Sequence, residues 1–124
     1  MSDPNEPVLY IVVRKELGLS TGKTAAQCCH ALQYILQRYY TNTPSLSKQQ
    51  KQVMQEWMES AHAKVVLAAS EVEWQALLDE GLADATVRDA GRTEIDPGTI
   101  TCAALFPVRK SNAPKLIKGL PLLK

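Results

Sequence analysis

Val8-Leu9-Tyr10-Ile11-Val12-Val13 is an unbroken run of branched and aromatic apolar residues, and its length decides how the rest of the chain is read. Six such residues make a buried strand, whereas crossing a bilayer takes ~20. No signal-peptide pattern precedes the run, so the chain reads as an intracellular, cytoplasmic protein with no membrane contact. Behind the strand, Met1 to Pro7 is polar and holds two prolines, which reads as a flexible leader and sets the domain at residues 8–124.

Ahead of the strand, Leu17 to Gly22 reads as a loop and Thr21 to Tyr40 as a helix. Ala25, Cys29, Leu32 and Leu36 share one side of its 3.6-residue wheel, the side expected to face the sheet. Thr41 to Ser47, with Asn42 and Pro44, breaks that helix. Ser47 is placed to cap a second, more polar helix running to about Ser60. Lys64 to Ala69 repeats the buried-strand pattern, and Ser70 with Glu73 three residues on forms a capping box for a helix ending before Gly81. Ala85 to Arg88 and Thr99 to Phe106 complete the strands around a turn-rich Asp89 to Gly98, and a short helix is expected over Ala113 to Lys118. Strands linked through helices predict a parallel pair with a right-handed crossover, and the short link between the last two predicts an antiparallel hairpin. The fold class is therefore α/β: a single domain with a four-stranded mixed β-sheet sandwiched by helices.

Composition agrees. A chain of 124 residues holds one domain, and 45% hydrophobic with 22% charged residues excludes disordered and fibrous classes. The three cysteines include no Cys-x-x-Cys pair. Adjacent Cys28 and Cys29 with His30 cannot converge on one ion from a helix whose successive side chains diverge by ~100°, so they are read as small buried hydrophobes, with no metal. The net charge of +1 hides an uneven distribution. Residues 14–55 carry six basic groups and one acid, residues 56–87 seven acids and one lysine, and residues 97–124 five basic groups and no acid. If the basic segments share a face, they would attract a polyanion such as nucleic acid; otherwise they are ordinary solvated side chains.

Two stretches carry polar residues beyond what folding requires. In Gly22-Lys23-Thr24-Ala25-Ala26-Gln27-Cys28-Cys29-His30-Ala31, the helical period gathers Lys23, Gln27, His30 and Tyr34 into a stripe away from Leu32 and Leu36. Strand, loop, Gly-Lys-Thr and helix follow the order of a phosphate-binding P-loop, but the position that must be glycine is Leu17, so the ring of backbone amides cannot close on a phosphate. The second stretch, Arg88-Asp89-Ala90-Gly91-Arg92-Thr93-Glu94-Ile95-Asp96-Pro97-Gly98-Thr99, is a charged loop at a strand end, where sites are commonly built. Together they supply a cation, a carboxylate, an amide, an imidazole and a hydroxyl.

Gly-Lys-x-Ala-Ala-Gln-Cys-x-His-Ala after a Val-Val-Arg strand, then Lys-Val-Val-Leu, then Arg-Asp-Ala-Gly-Arg-Thr-x-Ile-x-Pro-Gly-Thr resemble the type 2 peptidyl-tRNA hydrolases, in register from Val12 to about Pro107. The resemblance implies an α/β domain with a four-stranded mixed sheet. It also implies metal-independent hydrolysis of the ester joining a peptide to the 3′-terminal ribose of tRNA, with no cofactor. Carried over by position, it implies Lys23, Asp89 and Thr93 as catalytic residues and Gln27, His30 and Arg92 as substrate-binding ones. Peptidyl-tRNA is the implied partner, and a homodimer is compatible with it. The competing expectation is a non-catalytic tRNA-binding or protein-interaction module on the same fold.

Overall fold

The structure, a computed structural model, describes residues 3–90 and 98–124. In chain order the elements are β1 (Pro7–Arg14), α1 (Thr21–Thr41), α2 (Lys48–Glu59), β2 (Lys64–Ala69), α3 (Glu71–Asp79), β3 (Ala85–Arg88), β4 (Ile100–Ala104), β5 (Val108–Arg109) and α4 (Lys115–Gly119). Strand order is β2-β1-β4-β3. β1 and β2 are parallel, while β4 runs antiparallel to both β1 and β3, as the helix-linked and hairpin-linked pairs require. The sheet is mixed as expected, with one addition: β4 stops at Ala104, and after Pro107 the chain pairs Val108 and Arg109 with Val8 and Pro7 as a fifth, two-residue strand. Pro4, Asn5 and Glu6 offer their carbonyls to Ser111 N, Arg109 Nη1 and Lys110 N, at 2.9, 3.2 and 2.9 Å.

Strand β1 is buried on both faces, and its period of two divides the core. Val8, Tyr10 and Val12 pack with Trp74 and Leu77 of α3 and Ile117 of α4. Leu9, Ile11 and Val13 pack with Ala31 and Ile35 of α1 and Met54 and Trp57 of α2. Burying each large side chain contributes about 1.5–3 kcal/mol, so a central strand used twice is the largest local source of stability. Serine caps start the three longer helices. Ser20, Ser47 and Ser70 each accept a backbone N–H three residues on, and Ser47 with Gln50 and Ser70 with Glu73 close full capping boxes.

Two expectations are corrected. The sheet-facing row of α1 is Gln27, Ala31 and Ile35, whereas Ala25 and Cys29 are exposed and Leu32 and Leu36 half-buried. Counting apolar residues picked a flank of the helix, because the true face contains a glutamine whose amide finds a partner inside the protein. For the same reason the cysteines are not uniformly buried: Cys102 is, Cys28 is half-buried and Cys29 is exposed.

The topology sets β1, β2 and β3 running the same way, so Arg14, Ala69 and Arg88 end on one edge, where α1 and α3 begin. In open α/β sheets that carboxyl edge is where ligands bind.

Candidate active site

Lys23 stands in the first turn of α1, held by Ser20, whose hydroxyl accepts from Lys23 N at 3.2 Å and whose carbonyl accepts from Thr24 Oγ1 at 2.8 Å. Its ammonium forms an ion pair with Asp89 Oδ1, and the two side chains are 14% and 0% exposed. Asp89 follows directly on β3. Its N–H donates to Thr99 O at 2.8 Å, and its carbonyl accepts from Gly98 N at 2.9 Å. Gly98 has φ +81°, a conformation in which a side chain would be strained. Just before it the ladder shifts register between Val87 and Arg88, a bulge that re-aims the end of the strand. Arg88 is exposed and donates from Nη1 to Gly98 O at 3.1 Å. These bonds tie Arg88 and Asp89 to Gly98 and Thr99, and Arg92 and Thr93 lie outside the described residues.

One turn along α1, Gln27 is 3% exposed. Its Nε2 donates to Thr101 Oγ1 at 2.8 Å, Thr101 Oγ1 donates to Val87 O at 3.2 Å, and the Cys102 thiol donates to the Gln27 backbone carbonyl at 3.3 Å. Burial pushes the Cys102 thiol up to about 12, with Cys28 adding to the rise, so it stays protonated and remains a donor. This chain ties α1, β3 and β4 together beneath the ion pair. Buried hydrogen-bonded polar groups of this kind fix one arrangement, since breaking any link strands an unsatisfied partner.

His30 and Tyr34 occupy the next two turns, exposed, with rings inclined by only 16° and centroids 6.4 Å apart. A cleft of about 380 Å³ is lined by Lys23, Gln27, His30, Tyr34, Arg88 and Asp89. The structure therefore gathers Lys23, Gln27, His30 and Asp89 from two sequence stretches into one place. Thr101 escaped the sequence reading. Its only signal is a hydroxyl among the apolar residues of β4, and a buried strand threonine carries no mark of a partner 74 residues away. Among the described residues, no three His, Cys, Asp or Glu side chains converge as a metal set, and no helix is long and apolar enough to cross a membrane.

The basic segments are less available than their charge suggests. Arg14 forks onto Glu71 with contacts of 2.6–3.1 Å, Arg109 meets Glu56 at 2.6 Å, and Arg38 sits beside Asp84 at 4.0 Å. Lys15, Lys48 and Lys115 are exposed and Lys110 is half-buried.

A mixed α/β sheet with a lysine–carboxylate pair enclosed at its carboxyl edge defines a class of small domains with groups suited to acid–base and electrostatic chemistry. Within that class, the chain belongs to the family described as Peptidyl-tRNA hydrolase PTH2, whose model matches residues 7–123. It is similar to the peptidyl-tRNA hydrolase of Methanopyrus kandleri, 38% identical over 120 residues that cover 92% of this chain and 96% of the relative. It is 37% identical to the peptidyl-tRNA hydrolase of Methanococcus maripaludis strain C6 over 91% of this chain and 96% of the relative. It is also 32% identical to peptidyl-tRNA hydrolase 2 of Saccharomyces cerevisiae, over 96% of this chain and 59% of that longer relative.

Proposed function

We propose that this protein is a peptidyl-tRNA hydrolase, cleaving the ester between a peptide and the 3′-terminal ribose of tRNA and so returning free tRNA to translation. The observation that carries the reading is the enclosed Lys23–Asp89 pair opening on a cleft, in a chain of this family. A buried ion pair is rarely worth its desolvation for stability alone, which favours a catalytic use for this one.

In the proposed mechanism, Asp89 takes a proton from water as the water oxygen bonds to the ester carbonyl carbon. The carbonyl oxygen becomes an oxyanion beside the Lys23 ammonium. Collapse of the tetrahedral intermediate breaks the bond to the ribose 3′ oxygen, which leaves with the proton held by Asp89. General-base help is worth roughly 10²–10⁴ in rate, and one well-aimed cation or donor at the oxyanion roughly 10²–10³. Gln27, with its amide nitrogen committed to Thr101, offers its carbonyl oxygen to a substrate donor. Thr93 completes the catalytic set and His30 and Arg92 the substrate contacts, with no metal or cofactor taking part.

The exposed lysines and Arg88 would meet tRNA phosphates, making binding weaken steeply with salt. The reading places the protein in the cytoplasm with the translation machinery. It also accommodates a homodimer through the shallow apolar groove on the outer side of α1 at Leu32, Leu36 and Tyr40, which sedimentation at equilibrium tests directly.

The test is release of N-acetyl-aminoacyl groups from charged tRNA by the purified protein in the presence of a strong chelator. Turnover is expected. Salt-sensitive tRNA binding without turnover would move the function to a non-catalytic binding module on the same fold.

A further inference from the structure

The cleft has a wall that the ester chemistry leaves unused. His30 and Tyr34 lie one turn apart on α1 with nearly parallel rings, and Tyr34 is 38% exposed on a helix whose core contacts are made by Ala31 and Ile35. Packing among the described residues gives no reason for two aromatic faces there. Flat rings opening on a cleft that also holds cationic Lys23 and Arg88 suit an unstacked nucleobase joined to a sugar phosphate.

Spacing along the helix bears on which base. At ~1.5 Å per residue, His30 is about 4.5 Å along the axis from Gln27 and about 10 Å from Lys23, with Tyr34 about 6 Å beyond His30. The terminal ribose carries the ester on its 3′ oxygen and its base on C1′, so that base is one sugar away from the reacting bond. The preceding nucleotide is a further phosphodiester away. We infer that His30 and Tyr34 form a stacking subsite for the base of the 3′-terminal nucleotide, and that this subsite fixes the ester over Lys23 and Asp89. The inference rests on the hydrolase reading and adds Tyr34 to the residues that recognise the substrate.

The experiment compares native protein with Tyr34→Ala, His30→Ala and Tyr34→Phe in steady-state hydrolysis of N-acetyl-glycyl-tRNA. One substrate carries its natural 3′-terminal base and the other an abasic terminal nucleotide. On the natural substrate each alanine variant is expected to raise KM about tenfold, the range for losing one stacked base, with the effect falling on KM more than kcat. Tyr34→Phe recovers most of the affinity, because stacking needs the ring and not the hydroxyl. On the abasic substrate the native KM rises to the variants' level and the substitutions add nothing. Unchanged KM in the alanine variants, or an equal rise on both substrates, overturns the subsite. So does a rise seen with N-acetyl-phenylalanyl-tRNA but not the glycyl substrate, which would give the wall to the peptide. If native protein hydrolyses neither substrate, the hydrolase reading itself fails. The subsite is then judged by binding of uncharged tRNA, weakened in Tyr34→Ala if it exists and unchanged if it does not.

Discussion

Helix α1 reaches strand β3 with an ion pair at each end, and the two pairs differ in what surrounds them. At the far end, Arg38 donates to the Asp84 carbonyl at 2.8 Å and rests over the Phe106 ring, 5.1 Å from its centroid, while Asp84 Oδ2 accepts from Phe106 N at 2.8 Å. Those side chains are 38% and 26% exposed, and their partners are backbone and core. At the near end, Lys23 and Asp89 are 14% and 0% exposed, yet they line an open cleft. The same two elements make a brace at one end and, in the proposed mechanism, a reactive centre at the other. What separates them is whether the enclosed charges face protein or a space a substrate can enter.

Removing the cation at each end should separate the two most sharply. Lys23→Met is expected to lower the single-turnover rate of ester cleavage by roughly 10²–10⁴, from lost oxyanion stabilisation and a misplaced Asp89. Losing the Lys23 ammonium from the buried Asp89 carboxylate should also cost about 1.5–3 kcal/mol in urea unfolding, the range for a hydrogen bond to a charged group. Arg38→Met should cost about 1–2 kcal/mol, a hydrogen bond and a half-exposed pair, and leave the cleavage rate within about twofold of native.

The next effect concerns the hydrogen-bonded chain beside the Lys23–Asp89 pair. Thr101→Val removes the acceptor for Gln27 Nε2 and leaves a buried amide unsatisfied, an expected loss of about 1–3 kcal/mol. Because the freed Gln27 also turns its amide, kcat/KM should fall by about tenfold while Thr101→Ser restores most of it. Equal activity in Thr101→Val would detach Gln27 from the reaction.

Much of the architecture was readable in the chain, for physical reasons that particular residues show. Val8 to Val13 forms a buried strand and Lys64 to Ala69 a strand buried only from Leu67 to Ala69, both extended because short β-branched runs favour the pleated backbone. Ser47 and Ser70 marked helix starts because capping is a local bargain within four residues. The face of α1 was misread because its burial is settled by a distant partner: Gln27 can enter the core only since Thr101 meets it there. Lys23 and Asp89 stood out as unusual polar residues in their stretches. Their pairing depends on the β3 to β4 bulge and the Gly98 turn, which no local pattern announces.

A smaller contrast lies in pH. Burial raises the Asp84 carboxyl above its ordinary 3.8, with the Phe106 N–H and Arg38 pulling it back only in part. A raised folded-state value means the stability this group supplies is full below the unfolded value and declines as pH rises through the folded one. Asp84→Asn keeps an acceptor for Phe106 N and abolishes that titration. Its urea midpoint relative to native protein should therefore climb as pH rises from 4 towards neutrality. A gap independent of pH would show that burial does not govern Asp84. Smallest of all, thiol labelling should follow exposure: iodoacetamide at pH 8 modifies Cys29 first, and Cys102, pushed up to about 12, only on unfolding.

The central claim is that one of two aspartates flanking β3 activates water and the other only holds the sheet to the helix. Single-turnover cleavage of N-acetyl-aminoacyl-tRNA by Asp89→Asn and Asp84→Asn, side by side with native protein, tests it most directly. The account predicts a loss of at least about a hundredfold in Asp89→Asn, whose amide cannot take the proton, and a rate within about twofold of native in Asp84→Asn. Equal rates in the two variants, or the larger loss in Asp84→Asn, would contradict it.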